Sequence, residues 1–219
     1  MMWRCPLCMN PKNQHYHQDS RRDYYQCGGC QLVFVPPDQH LSAEREKQEY
    51  DRHQNSSDDP GYRRFLNRLL VPLEACLTPG AHGLDFGAGP GPTLSVMFEE
   101  QGYCMDIYDP FYAPERQVLA QRYDFITATE VLEHLSSPRQ VLAQLSDLLV
   151  PGGYLGFMTK RVKNHAAFSH WHYIQDPTHV AFFSEDTFIW WASYHGFALT
   201  FPGQDTVIMQ KPADVSKKP

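Results

Sequence analysis

The most constraining feature of this sequence is a glycine-rich segment at residues 84–93, which reads Leu-Asp-Phe-Gly-Ala-Gly-Pro-Gly-Pro-Thr. Leu84 and Phe86 flank Asp85 with apolar side chains, as at the end of a buried strand. Three glycines at alternate positions then allow tight turns and a close approach of the backbone to a ligand. An apolar run with helical periodicity follows Pro92. The segment therefore predicts a strand, a glycine-rich loop and a helix whose N-terminus faces a ligand, an arrangement typical of nucleotide-binding sites.

The order of the glycines separates two kinds of nucleotide-binding loop. A dinucleotide-binding loop reads G-x-G-x-x-G/A, and Pro92 at the sixth position fits that pattern badly. The pattern D-x-G-x-G-x-G, which begins at Asp85, fits, and it resembles motif I of class I S-adenosylmethionine-dependent methyltransferases. The alternative is an ordinary glycine–proline turn in which Asp85 caps the helix.

The resemblance implies a cofactor site at the ends of two neighbouring strands. The second strand reads Cys104-Met105-Asp106-Ile107-Tyr108, and an acidic residue at its end would bind ribose hydroxyls. The cofactor-binding residues that the resemblance implies here are Asp85, Gly87, Ala88, Gly89, Asp109 and Pro110.

Further landmarks of the same family follow in order. Residues 123–128 read as a strand, and the segment 129–135 (Thr-Glu-Val-Leu-Glu-His-Leu) resembles the one after the fourth strand of small-molecule methyltransferases. Residues 148–155 (Leu-Leu-Val-Pro-Gly-Gly-Tyr-Leu) resemble the family's turn into the fifth strand. The resemblance implies an α/β, Rossmann-like fold with a seven-stranded, mostly parallel sheet that ends in an antiparallel hairpin. It also places Thr129 and Glu130 at the wall of the cofactor site.

Four of the six cysteines form two C-x2-C pairs near the start of the chain, Cys5 with Cys8 and Cys27 with Cys30. Four thiolates at this spacing can surround one Zn²⁺ tetrahedrally, and the segment resembles a zinc ribbon. Two disulfides or a redox dithiol are the alternatives. The lone cysteines Cys76 and Cys104 stand in apolar segments and are predicted to be buried.

The 219 residues suit one sizeable domain with a small accessory unit. We predict a zinc ribbon over 1–38, a helical connector or lid over 39–80, a methyltransferase domain over 81–211 and a flexible tail over 212–219. The first connector helix is interpreted either as a lid over the cofactor or as a solvated linker. The resemblance implies that residues before the glycine loop fold over the cofactor and meet its carboxylate, a region that contains Tyr50 and His53. The candidates for this contact are Arg63 and Tyr62, with a surface helix that carries ordinary arginines as the alternative.

The net charge and the hydropathy of the sequence indicate which classes of binding partner to expect. The net charge of −6, with histidine neutral, argues against a broad phosphate-binding surface. No apolar run approaches membrane-spanning length, and Met1 is not followed by a signal-peptide pattern. We therefore expect a cytoplasmic protein without a membrane partner.

Histidines are concentrated in the last third of the chain, where methyltransferases of this class place substrate-recognition loops. The segment Asp176-Pro177-Thr178-His179 resembles a D-x-x-H segment of members that bind small acceptors. His179 or His134 could remove the acceptor's proton, since the pKa of histidine lies near working pH, and Asp176 could fix a tautomer. The alternative is that these histidines are packing residues in an aromatic loop.

The sequence therefore predicts an enzyme that transfers a methyl group from S-adenosylmethionine to a small-molecule acceptor. One alternative is a methyltransferase of tRNA or protein, held by the zinc ribbon through the basic residues Arg4, Lys12, Arg21 and Arg22. A second is a non-catalytic protein that binds S-adenosylmethionine. An NAD-dependent oxidoreductase is the weakest alternative, because Pro92 interrupts its loop pattern.

Overall fold

The computed structural model of the protein describes residues 3–52 and 56–213, so His53 and the last six residues of the predicted tail lie outside it. The strands and helices in chain order are β1 (Asn13–Gln18), β2 (Asp23–Cys27), β3 (Val33–Phe34), α1 (Ala43–Tyr50), α2 (Pro60–Glu74), β4 (His82–Phe86), α3 (Thr93–Glu100), β5 (Cys104–Tyr108), β6 (Tyr123–Thr129), α4 (Pro138–Leu148), β7 (Leu149–Met158), α5 (His165–Phe168), β8 (Ala181–Phe182), α6 (Glu185–His195), β9 (Ala198–Thr200) and β10 (Thr206–Gln210).

The main sheet has the strand order β5-β4-β6-β7-β10-β9. The first four strands in this order run parallel, and β10 and β9 form the predicted antiparallel hairpin at its end. The carboxyl ends of β4, β5, β6 and β7 therefore meet at one edge, where the ligand crevice of an open α/β sheet lies. The predicted Rossmann-like, mostly parallel architecture is confirmed.

The described sheet contains six strands instead of the seven that the resemblance implied. One place for a seventh strand is beside β5, at the edge of the sheet. A parallel strand added there would need a crossover of a dozen or more residues on each side of it. The connection between β5 and β6, residues 109–122, holds an isolated bridge and a 3-10 helix at Arg116–Ala120 instead. It is too short for another crossover, strand and return.

The cysteine-containing segment forms a second, antiparallel sheet with the order β1-β2-β3-β8. Strand β8 comes from the last third of the chain and pairs with β3, and the backbone N–H of Val35 donates to the carbonyl of Val180 at 2.9 Å. Cys27, Phe34 and Ala181 of this sheet share one buried cluster with the main sheet, whereas Tyr24, Val33 and Phe182 belong to a separate cluster. The small sheet is thereby joined to the segment that follows β7, where the sequence predicted the acceptor-binding loops.

Helices on both faces cover the main sheet. Along one stripe of α2, the leucines Leu66, Leu69 and Leu73 pack with α3 and β7, as the periodicity predicts. Helix α4 buries Leu142 and Leu145 on the opposite side of the core. None of the helices in the described ranges combines the length and apolarity that crossing a membrane requires.

Three helices begin at a residue whose side chain caps the first turn. The side chains of Ser42, Asp59 and Ser184 accept hydrogen bonds from backbone N–H groups in the first turns of α1, α2 and α6. Ser137 occupies the same position before α4, but its side chain makes no capping bond.

The prediction that the lone cysteines are buried was wrong. Both Cys76 and Cys104 are exposed. Cys76 follows the end of α2 in a turn, and Cys104 is the first residue of the edge strand β5. Local apolar neighbours predict burial only where the element itself is covered, and neither position is covered by another element.

Candidate active site

The glycine-rich loop between β4 and α3 adopts backbone conformations that side chains disfavour. Gly87 and Gly89 have φ values of +76° and +64°. A Cβ at Gly87 would lie 2.4 Å from the Cγ2 atom of Val131, whereas a Cβ at Gly89 would meet no atom within 4 Å. Gly87 therefore permits close packing inside the protein, and Gly89 leaves open space beside the loop.

Asp109 ties this loop to the end of β5. Its carboxylate accepts backbone hydrogen bonds from Gly89 at 3.0 Å, Phe111 at 2.8 Å and Tyr112 at 3.0 Å. Only 7% of the residue is exposed, yet it borders the cavity described below. The position of the acid is thus fixed by three donors before any ligand arrives.

Asp85 lies beneath the loop. Its carboxylate accepts hydrogen bonds from the hydroxyls of Thr127 at 2.8 Å and Ser95 at 3.1 Å. Burial raises the pKa of Asp85 to about 6; the two hydroxyls oppose that rise and the charge of Asp109 adds to it. Ser95 lies in the first turn of α3, and its backbone as well as its hydroxyl lowers the pKa of Asp85 by hydrogen bonding, so Asp85 also contacts the start of the helix, while Pro92 precedes the helix without a side-chain cap.

A cavity of about 910 Å³ opens at the carboxyl ends of these strands. All eleven residues predicted for cofactor binding and catalysis border it, namely Asp85, Gly87, Ala88, Gly89, Asp109, Pro110, Thr129, Glu130, His134, Asp176 and His179. The sequence did not single out Glu46, Phe111, Lys160 or Tyr173, which border it as well. Phe111 and Lys160 lie in the loops after β5 and β7, within three residues of the strand ends, and that position is the signal that could have found them.

Helix α1 lies over one side of this cavity. Its Tyr50 places its ring centroid 5.2 Å from that of His134 and 5.9 Å from that of Phe111. The Tyr50 hydroxyl donates to Glu46 at 2.6 Å, and the hydroxyl of Tyr112 donates to Asp51 at 2.6 Å. These contacts join α1 to the loop after β5 and favour the lid interpretation over the linker.

Of the residues proposed to contact the cofactor's carboxylate, Tyr62 and Arg63 lie in different surroundings. Tyr62 borders the cavity, whereas the guanidinium of Arg63 forms an ion pair with Glu100 and donates to the carbonyl of Ser57. Arg63 is not among the residues that border the cavity. The side chain of Arg63 therefore forms its contacts outside the predicted cofactor site.

Glu130 occupies a strained position after β6. Its φ is +52°, and its backbone N–H donates to the carbonyl of Met158 at 2.8 Å. The buried Oε1 atom of Glu130 has no hydrogen-bond partner in the part of the chain that the structure describes. Burial raises the pKa of Glu130 to about 7, partly offset by the charge of Lys160. The Tyr173 hydroxyl also lowers the pKa of Glu130 by hydrogen bonding, so it is the Oε1 atom that is open to a donor from a ligand or from water.

His179 has a defined tautomer. Its Nδ1 atom lies 2.7 Å from the carbonyl oxygen of Tyr173, and a carbonyl can only accept, so Nδ1 carries the proton. The Nε2 atom is left as an acceptor, 3.7 Å from the carboxylate of Asp176. Burial lowers the pKa of His179 to about 4 against the opposing charge of Asp176, so the ring is neutral at pH 7.

Glu133 is the buried acid that sequence analysis did not select. Its carboxylate accepts hydrogen bonds from the hydroxyls of Tyr173 and Thr159, the latter at 3.0 Å, and burial raises its pKa to about 8. Ligand atoms of Glu133, His134 and His179 all lie within 4.8 Å of one another, so this set could hold a metal ion. No motif in the sequence relates His179 to Glu133 and His134, which lie more than 40 positions earlier.

The four cysteines converge at the base of the small sheet. The Sγ atoms of Cys5 and Cys30 are 3.5 Å apart, those of Cys8 and Cys27 are 3.3 Å apart, and all four lie within 4.8 Å of one another. Tetrahedral Zn–S bonds of about 2.3 Å separate the sulfurs by about 3.8 Å, so the cluster suits zinc. All six cysteines are free thiols, which contradicts the disulfide alternative.

The cavity also suits the cofactor that the sequence implied. Its wall carries the carboxylates of Glu46, Asp85, Asp109, Glu130 and Asp176 but a single ammonium group, that of Lys160, among the described residues that border it. The sulfonium and ammonium groups of S-adenosylmethionine are cationic, and the Oε1 oxygen of Glu130, which has no partner among the described residues, suits a ligand of that charge. The open space beside Gly89 leaves room for the ligand.

Comparison with known proteins agrees with this geometry. Residues 50–200 match the family model described as a methyltransferase domain. The ubiquinone biosynthesis O-methyltransferases of Shewanella sp. (strain ANA-3) and Serratia proteamaculans (strain 568) are 31% identical over 78 residues and 34% identical over 77 residues. These matches cover 36% and 35% of this chain and only 33% and 32% of the relatives, so the chain spans about a third of their length.

A solved structure supports the fold. The 1,6-didemethyltoxoflavin-N1-methyltransferase of Burkholderia thailandensis, with bound 1,6-didemethyltoxoflavin and S-adenosylhomocysteine, has a TM-score of 0.51 and 20% identity. The similarity covers 86% of this chain and 99% of that one. The family model matches more than half of the chain, and the glycine loop and the acidic residues at two strand ends border one cavity of the protein. The chain therefore belongs to the class I S-adenosylmethionine-dependent methyltransferases.

Proposed function

We propose that this enzyme methylates an ionisable hydroxyl group on a small aromatic acceptor, with His179 as the general base. The observation that carries the proposal is the tautomer of His179, whose Nδ1 proton is held by the carbonyl of Tyr173 while Nε2 is left as an acceptor. Rings of Tyr50, Phe111 and Tyr173 border the same cavity and suit a flat acceptor. The ubiquinone biosynthesis O-methyltransferases among the relatives are named for O-methylation, which agrees with the proposal.

When bound, S-adenosylmethionine supplies the methyl group: the acceptor oxygen forms a bond to the methyl carbon as the carbon–sulfur bond breaks, and the bonding pair leaves on sulfur. Asp85, Asp109 and the backbone of Gly89 would hold this cofactor, with Glu130 facing its cationic part. The enclosure of the reactants beneath α1 fixes their orientation and excludes water, which removes much of the entropic barrier.

The acceptor's proton passes to Nε2 of His179. The carboxylate of Asp176, 3.7 Å away, stabilises the imidazolium that forms. The low pKa of His179 makes it a weak base, so it suits acceptors that ionise readily, such as phenols and catechols, better than aliphatic alcohols.

One observation weakens the nucleic-acid alternative. Arg22, one of the four basic residues proposed for a phosphate contact, is only 5% exposed, and its guanidinium donates hydrogen bonds into the protein. A buried guanidinium with internal partners is not free to bind a phosphate.

The test has two stages. Calorimetric titration with S-adenosylmethionine, S-adenosylhomocysteine and NAD establishes the cofactor, and mass spectrometry of a panel of phenols and catechols that includes 3,4-dihydroxybenzoate then detects methyl transfer. Binding of the first two ligands without transfer to any phenol or catechol would refute the proposed acceptor class. Binding of NAD alone would refute the cofactor.

The variant His179→Asn isolates the base, because an asparagine amide can still donate to the Tyr173 carbonyl but cannot take the acceptor's proton. We expect kcat to fall by about 100-fold or more with the affinity for S-adenosylhomocysteine unchanged. His195→Asn, at the exposed end of α6, is the matched control. An unchanged kcat in the His179 variant would remove this residue from the mechanism.

A further inference from the structure

Arg22 is the feature of the small sheet that the proposed function does not use. It precedes β2, at the turn of the hairpin that joins β1 to β2, and only 5% of the residue is exposed. Arginine is seldom buried without a carboxylate partner. No ion pair of Arg22 with an acidic side chain is found among the residues that the structure describes, so its charge must be balanced in another way.

The guanidinium of Arg22 binds four carbonyl oxygens of one loop. One terminal nitrogen donates to Pro177 and His179, both at 2.9 Å, and the other donates to Ile174 at 2.8 Å and Asp176 at 2.9 Å. The loop at residues 174–179 lies more than 150 positions away in the sequence. The carbonyl dipoles of the loop therefore take the place of a carboxylate around this cation.

This loop carries two of the residues in the proposed mechanism, Asp176 and His179. One of the four carbonyls that Arg22 binds belongs to His179 itself, and another belongs to Asp176. On the other side, the backbone N–H of Val180 donates to the carbonyl of Glu133 at 2.7 Å. The loop is thus held between the small sheet and the segment after β6, and the imidazole of His179 borders the cavity between them.

Only arginine can make this set of contacts. Its planar fork presents two terminal nitrogens in fixed directions, each with two N–H donors, and here all four bonds go to carbonyls. A lysine ammonium has three donors at one point and cannot reach carbonyls that surround a fork. The neighbouring Arg21 also donates to the loop, at the carbonyls of Ile174 and Gln175, but its side chain is 45% exposed.

We propose that Arg22 is a positioning residue for methyl transfer, which orients the loop of Asp176 and His179 so that the small cysteine-containing sheet is a working part of the active site. The inference rests on the proposed function, because it assigns Arg22 its role through His179. It also explains why β8, directly after this loop, pairs with β3 of the small sheet instead of joining the main sheet.

The variants Arg22→Ala and Arg22→Lys test the proposal. Displacement of a reacting group by about 1 Å can cost 100-fold in rate, so we expect kcat to fall by about 100-fold in both variants. The affinity for S-adenosylhomocysteine should stay at the wild-type value, because the glycine loop and Asp109 are not among the partners of Arg22. Added guanidinium ion should restore part of kcat in Arg22→Ala, whereas a variant that is merely less stable would gain nothing. Arg4→Ala, an exposed arginine of the same unit, is the control.

A second readout does not depend on an acceptor. Amide hydrogen exchange of a peptide covering residues 174–180 should become faster in Arg22→Ala, while a peptide covering 85–93 exchanges as in the wild type. If Arg22→Ala does not fold, Arg22→Lys keeps the charge and the aliphatic stem and carries the same two measurements.

Each outcome decides a separate point. Wild-type kcat in the folded lysine and alanine variants, or unchanged exchange over 174–180, would overturn the role of Arg22. An equal loss of S-adenosylhomocysteine affinity and kcat would assign Arg22 to general stability and also overturn the proposal. A wild-type protein that binds S-adenosylhomocysteine but methylates no acceptor would refute the proposed function, while hydrogen exchange would still test the contact with the loop.

Discussion

Replacement of Gly89 by alanine tests whether the glycine loop approaches the cofactor as closely as we infer. The φ of +64° is disfavoured for a residue with a Cβ, and the conformational cost is about 1–2 kcal/mol. Apart from the two chain neighbours, no atom of the described residues lies within 4 Å of the added Cβ, so no steric cost from the described part of the protein is added. For a chain of this length the melting temperature should fall by about 2–8 °C.

The loss of ligand affinity should exceed what this conformational cost explains. The new methyl group would enter the open space at the cavity wall, where the backbone of Gly89 is expected to contact the cofactor. We expect the affinity for S-adenosylhomocysteine to fall by about tenfold or more, which corresponds to about 1.4 kcal/mol or more. Thermal unfolding followed by circular dichroism and calorimetric titration measure the two effects separately.

Two further glycines provide matched controls for Gly89→Ala. Gly102 has a φ of +87° with no atom near an added Cβ and does not border the cavity, so Gly102→Ala should lower stability to a similar extent and leave affinity unchanged. Gly87→Ala places the Cβ 2.4 Å from the Cγ2 atom of Val131 and should lower stability further. Wild-type affinity in Gly89→Ala would refute the close approach of the cofactor to this loop.

Two further predictions concern charge and metal. Because a cationic ligand favours ionised carboxylates, and the pKa values of Asp85 and Glu130 are raised to about 6 and about 7, S-adenosylmethionine binding should release protons and tighten as the pH rises from about 5 to about 8. Calorimetry in buffers of different ionisation enthalpy measures this, and an affinity that is flat or falls with pH would contradict it. Cys8→Ser should lower the zinc content and the melting temperature, both measured beside Cys76→Ser as an exposed control. Equal zinc in the two variants would show that the four-cysteine cluster does not hold the metal.

The sequence by itself determined the features that depend on neighbouring residues. The glycine spacing of residues 85–91 permits positive φ values and tight turns, and the structure has positive φ values at Gly87 and Gly89. The capping of α6 by Ser184 and the grouping of cysteines in pairs follow from contacts within a few positions. Residues that border the cavity could be selected because the carboxyl ends of parallel strands meet at one edge of the sheet, so a local motif on each strand was enough to place them there.

Only the tertiary structure decided how the last third of the chain meets the first. The hydrogen bonds between Arg22 and the loop of Asp176 and His179 join residues more than 150 positions apart, and no periodicity in the sequence encodes such a pair. The tautomer of His179 likewise depends on where the carbonyl of Tyr173 comes to lie. Burial was misjudged at Cys76 and Cys104 for the same reason: the cover over a residue comes from distant elements, whereas its neighbours in sequence report only local polarity.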